Sequence, residues 1–97
     1  MDPKYLNMIR RMKGKGKKEW SVYILRCGDG TLYTGIAKDV SARLKTHQAG
    51  QGAAYTRTHL PVELIHQESR LTRSGALIRE AAIKRLPRKA KDKLITS

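Results

Sequence analysis

The chain has 97 residues, with 21 Lys and Arg against 8 Asp and Glu, a net charge of +13, an apolar share of 39% and no Phe. That length suits one domain with one core, built from Val, Ile, Leu, Ala and a few Tyr, and it excludes two. A single cysteine, Cys27, excludes an internal disulfide framework and a Cys-rich zinc site and agrees with a cytoplasmic location; no apolar run approaches the ~20 residues that span a bilayer, and the N-terminus lacks the apolar segment of a secretory signal. The excess positive charge speaks of partners rather than of fold, and the partner it indicates is a polyanion, nucleic acid first.

Residues 1–19 carry seven basic and two acidic side chains and the run Lys13-Gly14-Lys15-Gly16-Lys17-Lys18. Such a segment cannot bury apolar surface and is expected to be a flexible basic tail. The folded domain is expected over 20–97. Residues 20–27, Trp-Ser-Val-Tyr-Ile-Leu-Arg-Cys, are strand-rich in type, Gly28-Asp29-Gly30 is a turn signal, and residues 31–36 read as a second strand that closes a hairpin. Asp39 is a plausible N-cap for a helix over about 40–49, closed by Gly50. A Gly-containing loop over 50–60 follows. Pro61 introduces a third strand at 62–67, a helix is expected from Arg73 or Ser74 to Leu86, and Pro87 opens a last helix over about 88–95. The expected class is α+β: a small antiparallel three-stranded sheet flanked by helices, in the order ββαβαα.

Several residues carry more chemistry than packing needs. Tyr23 and Tyr33 stand ten apart on the two arms of the hairpin and share a sheet face if the register is even; cross-strand packing explains them, and so does a phenol acting as a general base. Arg43 and His47, one helical turn apart, form either a solvated face or a guanidinium for phosphate beside an imidazole that handles a proton. Glu80 is the most informative position. Its helix neighbours are Ala76, Leu77, Ile83 and Lys84, so it falls within an apolar face, where an unpartnered carboxylate is costly. Either it pairs with a cation such as Lys84 or Arg43, or it binds a metal, and a lone carboxylate suits Mg²⁺. The stretch from Lys84 to Lys93, with Arg88 and Lys89, holds six cations and one anion, which fits phosphate contact. His47, His59 and His66 have no metal-ligand spacing with Cys27, and there is no phosphate-binding loop of the Walker type.

Taken together, these residues resemble the GIY-YIG nuclease family. Ser21-Val22-Tyr23 stands where the first triplet would be and Tyr33-Thr34-Gly35 where the second would be. The segment 36–44 looks like the one that follows, with Arg43 ten residues after Tyr33, and His47 and Glu80 fall at family spacing. The likeness runs from about residue 22 to 95 and is closest to small stand-alone bacterial members, through the run from His47 to Arg57. Two positions depart from the pattern: Ser21 replaces the first Gly, and Ile36 stands where some members carry Lys. The resemblance implies a metal-dependent endonuclease acting on DNA rather than RNA, with branched or damaged forms among the candidate targets. Glu80 would hold a single Mg²⁺ or Mn²⁺. Tyr33 would take the proton of the attacking water, with Tyr23 or His47 assisting, and Arg43 would stabilise charge on the phosphate. Gly35 would allow close approach of the backbone to that centre, and Tyr55, Thr56 and Arg57, with Lys84, Arg88 and Lys89, would bind the substrate. The alternative is a nucleic-acid-binding module of the same fold with little or no catalysis.

Overall fold

Val22, Tyr23, Ile24 and Leu25 form a run of β-branched, aromatic and aliphatic residues with both faces buried, which makes their strand the central one of its sheet. The computed structural model describes residues 17–96, so residues 1–16 of the tail expected over 1–19, and the terminal Ser97, lie outside the described residues. The elements are β1 (Trp20–Arg26), β2 (Leu32–Ala37), α1 (Val40–Gln48), α2 (Ala54–Arg57), β3 (Glu63–Leu71), α3 (Arg73–Arg85) and α4 (Arg88–Thr96). The sheet is antiparallel with strand order β2-β1-β3.

The hairpin closes on the expected turn. Gly30 takes φ +84°, and the Asp29 carboxylate accepts from both the backbone N–H and the hydroxyl of Thr31. Tyr23 pairs with Gly35 and Leu25 with Tyr33, so the register is even and both tyrosines stand on one face. That face packs on α1: Tyr23, Leu25, Cys27, Ala37, Val40 and Val62 form its core, with Tyr33 and Leu44 against them. The other face packs on the C-terminal helices through Val22, Ile24 and Ile83, with Leu94 and Ile95 alongside. Each such buried aliphatic contributes about 1.5–3 kcal/mol. Asp39 caps α1 by accepting from the Ala42 N–H, and Thr72 caps α3 by accepting from that of Gly75.

Two expectations need correction. The loop over 50–60 contains a one-turn helix, α2, and β3 runs four residues past the expected end at 67. The residues that continue β3 look like loop by composition, yet Glu68, Ser69 and Leu71 find partners, Leu71 pairing with Trp20. Glu68 takes a bidentate contact from Arg79 of α3 at 2.7 and 3.0 Å, and Ser69 accepts from Ser21 at 3.1 Å. Two register shifts against β1 absorb the extra residues. Among the described residues, no helix is long and apolar enough to cross a membrane.

Candidate active site

A cleft of about 440 Å³ opens where α1, the edge strand β2, the segment before α2 and one side of α3 meet. It is lined by Tyr23, Tyr33, Gly35, Ile36, Arg43, His47, Gln51, Gly52, Ala53 and Glu80. Four elements therefore bring together the two tyrosines, the arginine, the histidine, the glutamate and the glycine singled out in the sequence. The sheet register supplies the tyrosines, the helical turn from Arg43 to His47 supplies the next pair, and α3 supplies the carboxylate.

His47 is the hinge of the arrangement and is 1% exposed. Its Nε2 lies 2.9 Å from the Tyr23 hydroxyl and its Nδ1 lies 2.8 Å from Thr56 Oγ1. Its ring centroid is 5.9 Å from that of Tyr23 and 5.3 Å from that of Tyr33. Burial, with the neighbouring Arg43 guanidinium adding to it, holds His47 below the usual imidazole pKa of 6.5, so it is neutral at pH 7. The same desolvation pushes both phenols above their ordinary value. The charges of Tyr33 and Glu80 add to the rise at Tyr23, and that of Glu80 adds at Tyr33, while Arg43 opposes it at both. Among the described residues, no hydrogen-bond partner meets the Tyr33 phenol.

Two glycines make room for these rings. A Cβ on Gly35 would stand 2.6 Å from the Tyr23 hydroxyl, and a Cβ on Gly52 would overlap His47 Nδ1. Gly35 lines the cleft and clears the space that Tyr23 occupies. Gly52 and Ala53 stand in the sequence only as members of the run from His47 to Arg57; their role comes from what they touch, the His47 ring for Gly52 and the Thr56 hydroxyl for the Ala53 carbonyl.

Glu80 is the only carboxylate among the residues lining the cleft, and its side chain is 21% exposed. Lys84, one turn along α3, approaches it at 3.6 Å from a more exposed position. Among the described residues, no group of three His, Cys, Asp or Glu could enclose a metal ion. Glu80 fits a cation that keeps most of its shell as water and phosphate oxygen, as Mg²⁺ does, and not one that demands a protein cage.

The other candidate substrate-binding residues fall outside this lining. Thr56 needs correction: it is fully buried and bonded to His47, and a buried hydroxyl cannot touch a strand directly. Tyr55 is exposed, donates to Thr31 Oγ1 at 2.6 Å and stacks on His59 with centroids 4.0 Å apart. Arg57 and Lys89 are exposed, and Arg88 donates to Asp92 and to the Gly30 carbonyl. A second cleft of about 310 Å³, which sequence reasoning did not find, shares Arg43 with the first and is also lined by Trp20, Lys38, Asp39, Ala42 and Thr46. Lys38 and Arg73 each lie 5.7 Å from the Trp20 ring centroid, so the cations continue away from the first cleft.

A tyrosine pair on a central hairpin, an arginine and a histidine on the following helix, and a glutamate on a late helix define a GIY-YIG arrangement. The GIY-YIG catalytic domain model matches residues 19–93, and the chain belongs to that family. It is 54% identical over 70 residues to a UPF0213 protein of Streptococcus sanguinis, covering 72% of this chain and 80% of the relative. It is likewise 54% identical over 74 residues to a UPF0213 protein of Staphylococcus aureus, covering 76% and 90%. Solution structures of two relatives share the fold. One is a UPF0213 protein of Bacillus halodurans, with TM-score 0.52, 39% identity and 79% and 82% coverage. The other is a protein of E. faecalis, with TM-score 0.56, 42% identity and 84% and 86% coverage.

Proposed function

We propose that this chain is a metal-dependent endonuclease that hydrolyses phosphodiester bonds in DNA. The observation that carries the reading is the convergence, in one cleft, of a phenol bonded to a neutral imidazole, a guanidinium and a single carboxylate. These are the groups that phosphodiester hydrolysis uses: an acceptor for the proton of water, positive charge for the phosphate oxygens, and an anchor for a cation.

Glu80 would hold Mg²⁺ or Mn²⁺, with water and phosphate oxygens completing the shell. When bound, that ion supplies positive charge to the scissile phosphate and the departing oxygen. Lys84 does not block this role. Its pairing with Glu80 is long at 3.6 Å and half-exposed, the kind of ion pair that contributes at most about 1 kcal/mol. Arg43 contacts the phosphate oxygens as negative charge builds. Tyr23 takes the proton of the attacking water as its own proton passes to His47 Nε2, 2.9 Å away. The bond from water oxygen to phosphorus forms, the phosphorus–oxygen bond to one flanking nucleotide breaks, and the departing oxygen is protonated from solvent. Tyr23 is favoured over Tyr33 as the base because its phenol already has an imidazole to receive the proton. The strand continues past Arg43 along Lys38 and Arg73, whose charges suit flanking phosphates.

A rival reading, a binding module without catalysis, is favoured by one observation: Lys84 already meets Glu80. The two separate on incubation with labelled plasmid, branched DNA and RNA, with Mg²⁺ or Mn²⁺ against chelator. Cutting of DNA that the chelator stops supports the nuclease. Binding to every substrate with cutting of none supports the rival.

A further inference from the structure

The phenol–imidazole pair works as a proton acceptor only if the lone pair of His47 faces Tyr23, and an imidazole can carry its proton on either nitrogen. The hydrogen bonds on the far side of the ring decide which. Thr56 Oγ1 lies 2.8 Å from His47 Nδ1 and 2.9 Å from the carbonyl oxygen of Ala53. A threonine hydroxyl has one proton, and a carbonyl has none. If Thr56 donates to Ala53, its lone pair accepts from His47 Nδ1–H, the Nε2 lone pair accepts from Tyr23, and all three contacts are hydrogen bonds. If Nε2 carried the proton instead, Thr56 would have to donate to Nδ1. The two oxygens of Thr56 and Ala53 would then face each other at 2.9 Å with no proton between them. Thr56 is 0% exposed, so no solvent relieves that oxygen pair, and only the first arrangement makes hydrogen bonds of all three contacts.

We propose that Thr56 is the positioning residue that fixes the tautomer of His47, holding its proton on Nδ1 and turning the lone pair of Nε2 towards Tyr23. The one-turn helix α2 exists to present that hydroxyl: Ala53 caps it, the Ala53 carbonyl accepts from Arg57 N–H at 3.1 Å and from Thr56 at once, and Gly52 gives the ring room to sit against it. The orientation passes to Tyr23 as well. Its O–H is committed to His47, so the oxygen presents lone pairs to the cleft, and it accepts a proton from water only as it delivers its own to Nε2. The phenol gains one proton from water and gives one to His47 Nε2, the imidazole becomes imidazolium, and the Nδ1 proton stays on Nδ1, donated to Thr56 Oγ1.

This assignment rests on the nuclease reading for its consequence and stands apart from it in its test. The tautomer is read directly by long-range ¹H–¹⁵N correlation spectra of the full chain at neutral pH, without substrate. The wild type should show a protonated Nδ1 and an unprotonated Nε2 at His47. Thr56→Val, which keeps the shape and removes the hydroxyl, should move His47 towards the other tautomer. It should also lower cleavage roughly 10–100-fold, the range for losing a partner that orients a functional histidine. Thr56→Ser should restore both. A wild-type His47 protonated on Nε2 overturns the proposal whether or not the valine variant folds, and so does a valine variant with an unaltered tautomer. If the tautomer shifts and cleavage does not, Thr56 has no part in positioning for the reaction. If the tautomer behaves as expected and the wild type cuts nothing, the nuclease reading fails and the tautomer assignment survives.

Discussion

Replacing Gly35 by Ala tests whether the cleft is built around Tyr23. The added Cβ would stand 2.6 Å from the Tyr23 hydroxyl oxygen, 2.7 Å from its Cζ and 3.1 Å from Tyr33 Cε1. Carbon atoms in contact prefer about 3.5–4.0 Å, so the phenol must retreat by about 1 Å. It has little freedom to do so, being 2% exposed and bonded to His47 at 2.9 Å. A shift of that size stretches the bond beyond hydrogen-bonding range. Overpacking of this kind costs about 1–3 kcal/mol and the lost hydrogen bond about 1 kcal/mol more. The variant should therefore be destabilised by about 2–4 kcal/mol, which for a domain of this size lowers Tm by roughly 8 °C or more. Thermal melting followed by circular dichroism measures this, with Ile78→Ala, at a 66% exposed site, as a control expected to lie within about 0.5 kcal/mol of wild type. A Gly35→Ala protein that melts with the wild type would refute the close approach between Gly35 and Tyr23.

Three further outcomes follow from the same geometry. His47 has its folded pKa below 6.5, so in acid the unfolded chain binds the proton first; its contribution to stability is present above pH 6.5 and is lost as pH falls through the folded value. Urea midpoints of wild type and His47→Gln should accordingly converge on acidification, and a gap that widens contradicts the buried neutral imidazole. Arg43→Ala should reduce the cleavage rate about 10²–10³-fold, as for loss of one charge-stabilising donor, with a smaller effect on binding; an unchanged rate removes Arg43 from the site. Lys89 is exposed, whereas Arg88 already donates to Asp92 and Gly30. Neutralising Lys89 should therefore lower the salt slope of DNA binding by about one, and neutralising Arg88 by less; equal effects would show that the Asp92 contact gives way to phosphate.

The sheet, its hairpin and the three longer helices were legible because their signals are local; the one-turn α2 was not. Alternating or continuous apolar runs marked β1 and β2, Gly28-Asp29-Gly30 marked the turn, and Asp39 marked the start of α1. The extension of β3 was not legible, because Glu68 and Ser69 are held by Arg79 and Ser21, partners far away in sequence. Within the site, Tyr23, Tyr33, Arg43, His47 and Glu80 could be named because helical spacing and strand parity place them. Glu80 in particular stood out as a carboxylate on an apolar face. The contacts that set their orientation were not legible. Thr56 is named in the sequence only as a substrate contact implied by the resemblance, and Gly52 only as part of the run from His47 to Arg57, because nothing local shows that the fold sets both against His47.

If the cleft cuts phosphodiesters through a cation held by one carboxylate, Glu80→Gln removes that anchor and leaves the rest of the cleft in place. Cleavage and binding of the same labelled DNA would be measured for variant and wild type in Mg²⁺ or Mn²⁺. The variant should bind DNA as tightly as wild type or slightly more so, since a negative charge beside phosphate is gone, while its cleavage is abolished. A Glu80→Gln protein that cuts at the wild-type rate would contradict that role for Glu80.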